Sequence, residues 1–173
     1  MLAPQQAWWR PLHRIERSWV LVAFVWCIFL TIMMPIWFFM GRQNVPVTTY
    51  RVDAATYQQL VSDFVDQYQV DTLNGVPVVE PPPDSDVYLL ARQWQWYPVL
   101  KLKKGETYRL HISSLDVQHG FSLQPTNLNL QILPGYDYVA TLTPTQSGDF
   151  ALICNEYCGI AHHLMVSKII VTE

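Results

Sequence analysis

Charged residues are scarce in this chain of 173 residues: Asp, Glu, Lys and Arg make up 14%, whereas half of the residues are hydrophobic. The basic residues form no patch of the kind that binds nucleic acid, and no glycine-rich phosphate-binding loop occurs. The sequence also lacks a Cys-x-x-Cys-His motif for heme attachment and any nucleophile–base set. We therefore expect no nucleic-acid partner and no catalytic residue that acts on a substrate bond.

The scarcity of charge is most extreme over residues 19–40, where no charged residue occurs. At 1.5 Å per residue, a helix over this run spans roughly 33 Å, which is enough to cross one bilayer core. The run is longer than the apolar part of a signal peptide, and no small-residue cleavage site ends it. We predict a cytoplasmic segment over 1–17 and a retained transmembrane helix over 18–41 that contacts membrane lipid.

The positive residues beside this helix indicate its orientation. Arg10, Arg14 and Arg17 precede the helix, whereas only Arg42 and Arg51 follow it, at wider spacing. Positive residues favour the cytoplasmic side of a membrane. The N-terminus is therefore expected inside the cell and the rest of the chain outside.

The part of the chain beyond the membrane helix divides into a linker and a β domain. Within a linker over 42–86, apolar residues recur at three- and four-residue spacing, which predicts an amphipathic helix over about 54–68. From residue 87 the period changes to two, and turn signals such as Pro134-Gly135 separate short segments. The predicted strands are 87–95, 107–113, 121–123, 128–133, 138–143, 149–154 and 166–172. This pattern predicts a mainly β fold, a β-sandwich over 87–173.

The segment CNEYCGIAHHLM concentrates metal-binding side chains: Cys154, Cys158, His162 and Met165. Thiolate, thioether and imidazole ligands together favour copper over hard cations. A mononuclear copper site needs only one of the two thiols, so the second thiol indicates a binuclear site in which two thiolates bridge. Such a site requires a second imidazole, and His119 is available upstream. A disulfide or a zinc site formed with the two histidines is the alternative, although zinc leaves Met165 without a purpose.

This segment resembles the CuA signature, Cys-x-Glu-x-Cys-Gly-x-x-His-x-x-Met, at each defined position, and His119-Gly120-Phe121 resembles the family's first histidine segment. The resemblance implies that Cys154 and Cys158 bridge two copper ions and that His119 and His162 are terminal ligands. It further implies that Met165 and the backbone carbonyl of Glu156 are weak ligands.

The resemblance covers 87–173 well and the membrane anchor more loosely, and it implies a cupredoxin-like fold. CuA domains of this kind occur in subunit II of heme–copper oxidases, and the single membrane helix is similar to that of the short B-type subunits. The implied activity is acceptance of electrons from cytochrome c or a small copper protein. The electrons pass to heme held only by subunit I, for oxygen reduction coupled to proton translocation. The implied location is a bacterial or archaeal plasma membrane, with the CuA domain outside.

Two other functions are compatible with the sequence. The same module serves some membrane nitric-oxide reductases, and its ligand loop does not distinguish the two because the substrate never contacts it. A membrane-tethered copper carrier is a further alternative, although a closed set of ligands with two thiolates favours retention of the metal over release.

Further residues have candidate roles near the copper site and at the membrane. Trp94 and Trp96 are expected on one strand face, as core or partner contacts. The resemblance gives Trp96, with Trp94 as the alternative, the role of the surface residue at which electrons enter. Asp116 is a hydrogen-bond partner near the copper loop, a residue that helps to carry charge toward the partner subunit, or a turn-stabilising residue. Glu16 either pairs with a neighbouring arginine or, by resemblance to B-type oxidases, lies at the mouth of the proton-uptake path.

Overall fold

The computed structural model describes residues 11, 13–41 and 47–173, which form two units: one carries helix α1, and the other carries the remaining elements. Helix α1 is Arg14–Met40, and α2 is Ala54–Tyr68. The strands are β1 Val47–Arg51, β2 Gln69–Leu73, β3 Val76–Val79, β4 Asp86–Arg92, β5 Gln95–Tyr97, β6 Val99–Lys103, β7 Tyr108–Ser114, β8 His119–Gln124, β9 Asn129–Ile132, β10 Tyr136–Leu142, β11 Gly148–Cys154 and β12 Val166–Thr172. Arg10 and Arg42, on which the predicted orientation partly depends, lie outside the described residues.

Helix α1 has the length and composition of a membrane span. Its 27 residues have a mean hydropathy of 2.4 over the most apolar window, and none of them is buried within the chain. At its start, the Glu16 carboxylate accepts a hydrogen bond from the His13 backbone N–H at 2.8 Å. This bond satisfies a backbone donor that the first turn leaves unpaired. Among the residues that the structure describes, α1 is the one helix long and apolar enough to cross a membrane, which is consistent with a single-pass membrane protein.

The remaining strands form two packed sheets. The five-stranded sheet has the order β1-β10-β7-β4-β5, and the seven-stranded sheet has the order β2-β3-β6-β12-β11-β8-β9. Most neighbours are antiparallel, whereas β4 runs parallel to β7 and β12 runs parallel to β6. Apolar side chains of both sheets are buried between them, among them Val87, Leu89, Leu100, Ile112, Phe121 and Leu152. The prediction of a mainly β sandwich is confirmed.

Helix α2 occupies the range predicted for the amphipathic helix. Asp53 caps it by accepting hydrogen bonds from the backbone N–H groups of Ala55 and Thr56, at 3.0 and 3.2 Å. Its buried residues are Tyr57, Val61, Phe64 and Val65, which recur with the helical period and join the sandwich core. The Tyr57 hydroxyl donates to the Leu89 carbonyl of β4 at 3.1 Å, and this bond fixes the helix on the five-stranded sheet.

The stretch expected to be a linker contributes strands to both sheets. Strand β1 pairs with β10, and β3 pairs in parallel with β6. Strand β6 itself has no counterpart among the predicted strands. From residue 47 onward these residues are therefore part of the sandwich. Strands β1 and β2 lie at sheet edges and are exposed along almost their whole length. An exposed edge strand needs no alternation of apolar and polar residues, so its sequence carries no period-two signal.

The prediction of one strand over 87–95 is wrong. The chain turns at Gln93 and Trp94, and β5 then pairs antiparallel with β4, with Ala91 opposite Trp96. Trp94 lies in the turn and Trp96 in the strand, so the two indoles do not share a strand face. The turn contains no Gly, Pro, Asn or Asp, the residues by which turns are recognised in a sequence.

Candidate metal centre

The predicted copper ligands meet at one end of the sandwich. His119 begins β8, and Cys154 ends the neighbouring strand β11, where it lies opposite Phe121 in the antiparallel register. The chain then loops through Cys158 and a short 3-10 helix, His162–Leu164, before β12. The Cys154 N–H donates to the Met165 carbonyl at 3.1 Å and closes the base of this loop. Two hydrogen-bonded strands therefore hold both ends of the ligand loop.

Each thiol of this site lies beside one imidazole. Cys154 Sγ is 3.9 Å from Nδ1 of His119, and Cys158 Sγ is 3.5 Å from Nδ1 of His162. The two sulfur atoms are 3.8 Å apart, and both cysteines are free. A disulfide has an S–S distance of about 2.05 Å, so this spacing is that of two separate thiols. We call the side chains of His119, Cys154, Cys158, His162 and Met165, together with the Glu156 carbonyl, the donor cluster.

The other two members of the donor cluster, Met165 and the Glu156 carbonyl, each lie beside a different thiol. The Met165 Sδ is 3.7 Å from Cys158 Sγ, and the carbonyl oxygen of Glu156 is 3.2 Å from Cys154 Sγ. The contact is made by the backbone carbonyl of Glu156 and not by its side chain. The structure thus brings together every residue that the sequence predicted as a ligand.

Four residues of the donor cluster are shielded from solvent, whereas His162 and Glu156 are half-buried. His119 and Met165 are fully buried, and Cys154 and Cys158 are nearly so. Burial, and then the neighbouring Cys154 thiol, raises the pKa of Cys158 to about 11. The Cys158 thiol is therefore poorly suited to release its proton unaided, whereas a bound cation favours the thiolate form of a cysteine ligand. Soft, buried and convergent donors fit copper.

Two glycines allow the backbone to approach this closely. A Cβ on Gly120 would lie 2.8 Å from the backbone nitrogen of Glu156, so only glycine lets β8 pass this close to the ligand loop. Gly159 has a φ of +123°, in the region that favours glycine. A Cβ there would lie 2.9 Å from Nε2 of Gln93 and 3.1 Å from Nε1 of Trp94. The turn between β4 and β5 therefore packs directly on the loop, beside Cys158.

Asp116 is hydrogen-bonded to a predicted ligand. Its Oδ1 accepts from Nε2 of His119 at 2.8 Å, which leaves Nδ1 directed at Cys154. It also accepts from the backbone N–H groups of Val117 and Gln93, each at 2.6 Å. Burial opposes ionisation of Asp116, but these hydrogen bonds outweigh it and lower the pKa of the carboxyl. A carboxylate on the second nitrogen of a metal-binding histidine fixes its tautomer and ring orientation.

The two tryptophans have opposite exposures. Trp96 is 1% exposed, and its ring packs edge-on against Phe121, with ring centroids 5.8 Å apart. Trp94 is 38% exposed and lies over Gly159. The expectation that Trp96 is the surface tryptophan is wrong, because β5 points its side chain into the core, and Trp94 has that position instead. The other large apolar residues exposed in the loop and at the start of β12 are Tyr157, Ile160, Leu164 and Val166.

Sequence reasoning missed the role of Gln93 and the setting of His111. The Gln93 side chain donates from Nε2 to the Cys158 carbonyl at 2.7 Å, although nothing in its spacing marks it. His111, which no sequence pattern marks, lies between Asp137 and Asp86, with its ring nitrogens 2.7 and 3.1 Å from their carboxylates. Glu16 belongs to the α1 unit, where its carboxylate caps the helix.

Comparisons of the sequence and of the fold with known proteins identify the family of this chain. No protein-family model matches the chain. Cytochrome c oxidase subunit 2 of Thermus thermophilus is 33% identical over 124 residues, which is 71% of this chain and 87% of that protein. A chain in a cryo-EM structure of a heme-copper terminal oxidase dimer has a similar fold, with a TM-score of 0.59 and 22% identity. The alignment includes 92% of this chain and 100% of the oxidase chain. Rusticyanin from Thiobacillus ferrooxidans covers 75% of this chain and is likewise covered completely, with a TM-score of 0.52 and 16% identity.

The structural likenesses show the fold, and the sequence likeness shows the family. The sandwich is cupredoxin-like, its cluster of cysteine and histidine side chains is compatible with a copper site, and the N-terminal helix is long and apolar enough to span a membrane. The chain belongs to the cytochrome c oxidase subunit 2 family, the second subunits of heme–copper oxidases.

Proposed function

We propose that this chain binds two copper ions in the donor cluster and is the subunit through which electrons enter a terminal heme–copper oxidase. The observation that carries this proposal is the pair of free, buried thiols 3.8 Å apart, each with its own imidazole. When bound, copper supplies reversible one-electron oxidation and reduction. The residues of the chain hold the metal, exclude water and connect the site to its partners.

The arrangement of the donors favours two ions over one. A single tetrahedral zinc ion needs its four ligands around one point. The compact group of donors consists of His119, Cys154 and Cys158, and His162 approaches it from the Cys158 side. In this assignment Cys154 and Cys158 would both hold the two ions, and His119 and His162 would each hold one of them. Met165, beside Cys158, and the Glu156 carbonyl, beside Cys154, would each add a weak ligand.

The surroundings of the cluster favour rapid electron transfer. Strands β8, β11 and β12 hold the ligands, and hydrogen bonds at the base of the loop restrict their movement. Ligands that are already in position change little when the metal changes its oxidation state. Since His119, Cys154, Cys158 and Met165 are also buried, little water has to reorganise around them.

Electrons enter at Trp94 in this proposal. The indole is exposed on one side and packs over Gly159, directly after Cys158 in the chain. The ligand loop also exposes large apolar side chains: Ile160 is 88% exposed, and Tyr157 and Leu164 are exposed in the same loop. Exposed apolar patches mark sites of protein association. The donor is reduced cytochrome c or a small copper protein that docks on this surface.

The remaining assignments concern the membrane and the partner subunit. The electron passes to heme held by subunit I, where oxygen is reduced and protons are translocated. The proposed division is a cytoplasmic segment over 1–17, a helix over 18–41 in contact with lipid, and a copper domain on the outer side of a bacterial or archaeal plasma membrane. Glu16, at the cytoplasmic end of α1, is proposed as the entrance of the proton path.

Purification of the chain from its native membrane tests this function. We expect it to copurify with a heme-bearing, multi-helix partner, and reduced cytochrome c should reduce the copper of this complex before its heme. The complex should then consume oxygen. Consumption of nitric oxide but not oxygen would instead indicate a nitric-oxide reductase. A heme-free chain that readily releases its copper would indicate a carrier.

A further inference from the structure

Gln93 makes hydrogen bonds toward both halves of the donor cluster. Its side-chain Nε2 donates to the carbonyl oxygen of Cys158 at 2.7 Å. Its backbone N–H donates at 2.6 Å to Oδ2 of Asp116, and Oδ1 of that carboxylate accepts from Nε2 of His119 at 2.8 Å. Gln93 therefore contacts the backbone of Cys158 through its side chain and is linked to the imidazole of His119 through its backbone N–H and Asp116.

The contact between Gln93 and the ligand loop is tight. A Cβ on Gly159 would lie only 2.9 Å from Nε2 of Gln93, so the amide packs against the backbone immediately after Cys158. The bond to the Cys158 carbonyl joins the turn between β4 and β5, in the five-stranded sheet, to the ligand loop of the seven-stranded sheet. A hydrogen bond that crosses between the two sheets restrains the loop at the position of a thiol ligand.

We propose that Gln93 is a positioning residue of the copper centre, an inference that rests on the proposed function. Its side-chain amide fixes the backbone of Cys158 and thereby the direction of the Cys158 thiol. Its backbone N–H holds Asp116 against His119. The amide also directs the positive end of an N–H dipole toward the Cys158 peptide, which favours the reduced and less positive state of the centre. Hydrogen bonding around a cysteine ligand is a recognised means of tuning a reduction potential.

The test compares Gln93→Met with wild type in the full-length chain, purified in detergent and loaded with copper. Methionine preserves the length of the side chain and the backbone N–H but removes both amide donors. We expect copper affinity to fall about 10-fold, the usual scale for an outer hydrogen-bond partner of a metal ligand. We also expect a lower reduction potential and an altered copper hyperfine pattern. Gln93→Glu, which places an acceptor against the Cys158 carbonyl, should produce larger changes in the same direction.

Gln95→Met is the matched control. Gln95 lies two residues further along the chain, and its Oε1 accepts from Nε of Arg92 at 3.0 Å. This substitution should leave the affinity, the potential and the hyperfine pattern unchanged. A purely structural role for Gln93 would lower the melting temperature of the copper-free chain without moving the potential or the spectrum.

Three results would contradict one or both proposals. If Gln93→Met and Gln93→Glu bind copper with wild-type affinity, potential and spectrum, Gln93 is not a positioning residue, and the proposed function stands. The same conclusion holds if Gln95→Met changes these properties as much as Gln93→Met does. If the wild-type chain itself binds no copper, the proposed function fails, and this inference fails with it.

Discussion

The imidazole of His119 is fixed by Asp116, whose Oδ1 accepts from Nε2 at 2.8 Å while the opposite nitrogen faces Cys154. This bond selects the tautomer in which Nδ1 is free to bind a metal. Because His119 is fully buried, no water can replace the carboxylate without rearrangement of the core. Asp116 therefore controls the availability of Nδ1 of His119, the atom that we propose binds copper.

We expect Asp116→Ala to lower copper affinity by about 10- to 100-fold, because His119 loses the partner that orients it. Competition between the chain and a chelator of known affinity measures the change. Asp149→Ala is the control, since Asp149 pairs with Lys168 on the surface, at 2.6 Å. Equal affinities of wild type and Asp116→Ala would show that the carboxylate only stabilises its turn.

Trp94 and Trp96 should respond differently to substitution. Trp94→Leu should slow reduction of the copper by reduced cytochrome c while leaving the fold intact, because the indole is partly exposed and lies over Gly159. Trp96→Ala should destabilise the chain by about 3–5 kcal/mol, the usual cost of removing a large buried aromatic side chain. Stopped-flow reduction and denaturant unfolding measure the two effects. An unchanged rate of reduction in Trp94→Leu would remove Trp94 from the electron path.

His111 should make the stability of the sandwich dependent on pH. Burial alone would lower its pKa, but the hydrogen bonds and charges of Asp137 and Asp86 outweigh burial and raise the pKa above about 6.5. The folded state thus binds the proton more tightly than the unfolded state. This contribution is complete below about pH 6.5 and is lost as pH rises through the raised pKa of the folded state.

Urea unfolding of the copper-free chain at several pH values measures this contribution as the difference between wild type and His111→Gln. We expect the wild type to gain stability relative to the variant as pH falls through this window. The gain should level off below the ordinary histidine pKa. A difference that is independent of pH would show that His111 does not gain a proton between the two carboxylates.

Glu16→Gln separates the two roles available to Glu16. Glutamine still accepts the hydrogen bond from the His13 N–H, so the first turn of α1 remains capped, but the ionisable group is lost. If Glu16 is the entrance of the proton path, proton uptake by the reconstituted oxidase should slow while copper reduction is unchanged. Unaltered turnover and proton translocation would leave Glu16 with the cap alone.

The metal site was largely predictable from the sequence because one loop concentrates chemically distinctive residues. Cys154, Cys158, His162 and Met165 occur within a dozen residues, and resemblance to the CuA signature identified His119 on a distant strand. Helix α2 was equally predictable, since Tyr57, Val61 and Phe64 repeat with the helical period and are buried on the same face.

Other features carried no local signal. Strands β1 and β2 are exposed edges, so their pairing depends on partner strands far along the chain and not on their own pattern. The turn at Gln93 and Trp94 lacks turn-forming residues, and this misled the prediction for Trp96. Gln93 and His111 acquire their partners only when separate strands come together, which no spacing within the sequence reveals.

Electron paramagnetic resonance of the full-length chain loaded with copper tests the central claim most directly. The account predicts one unpaired electron shared over two copper nuclei, visible as hyperfine coupling to both. Cys154→Ser and His119→Ala should each abolish this pattern. A spectrum from one localised copper, or a chain that takes up zinc in place of copper, would contradict the assignment of two ions bridged by Cys154 and Cys158.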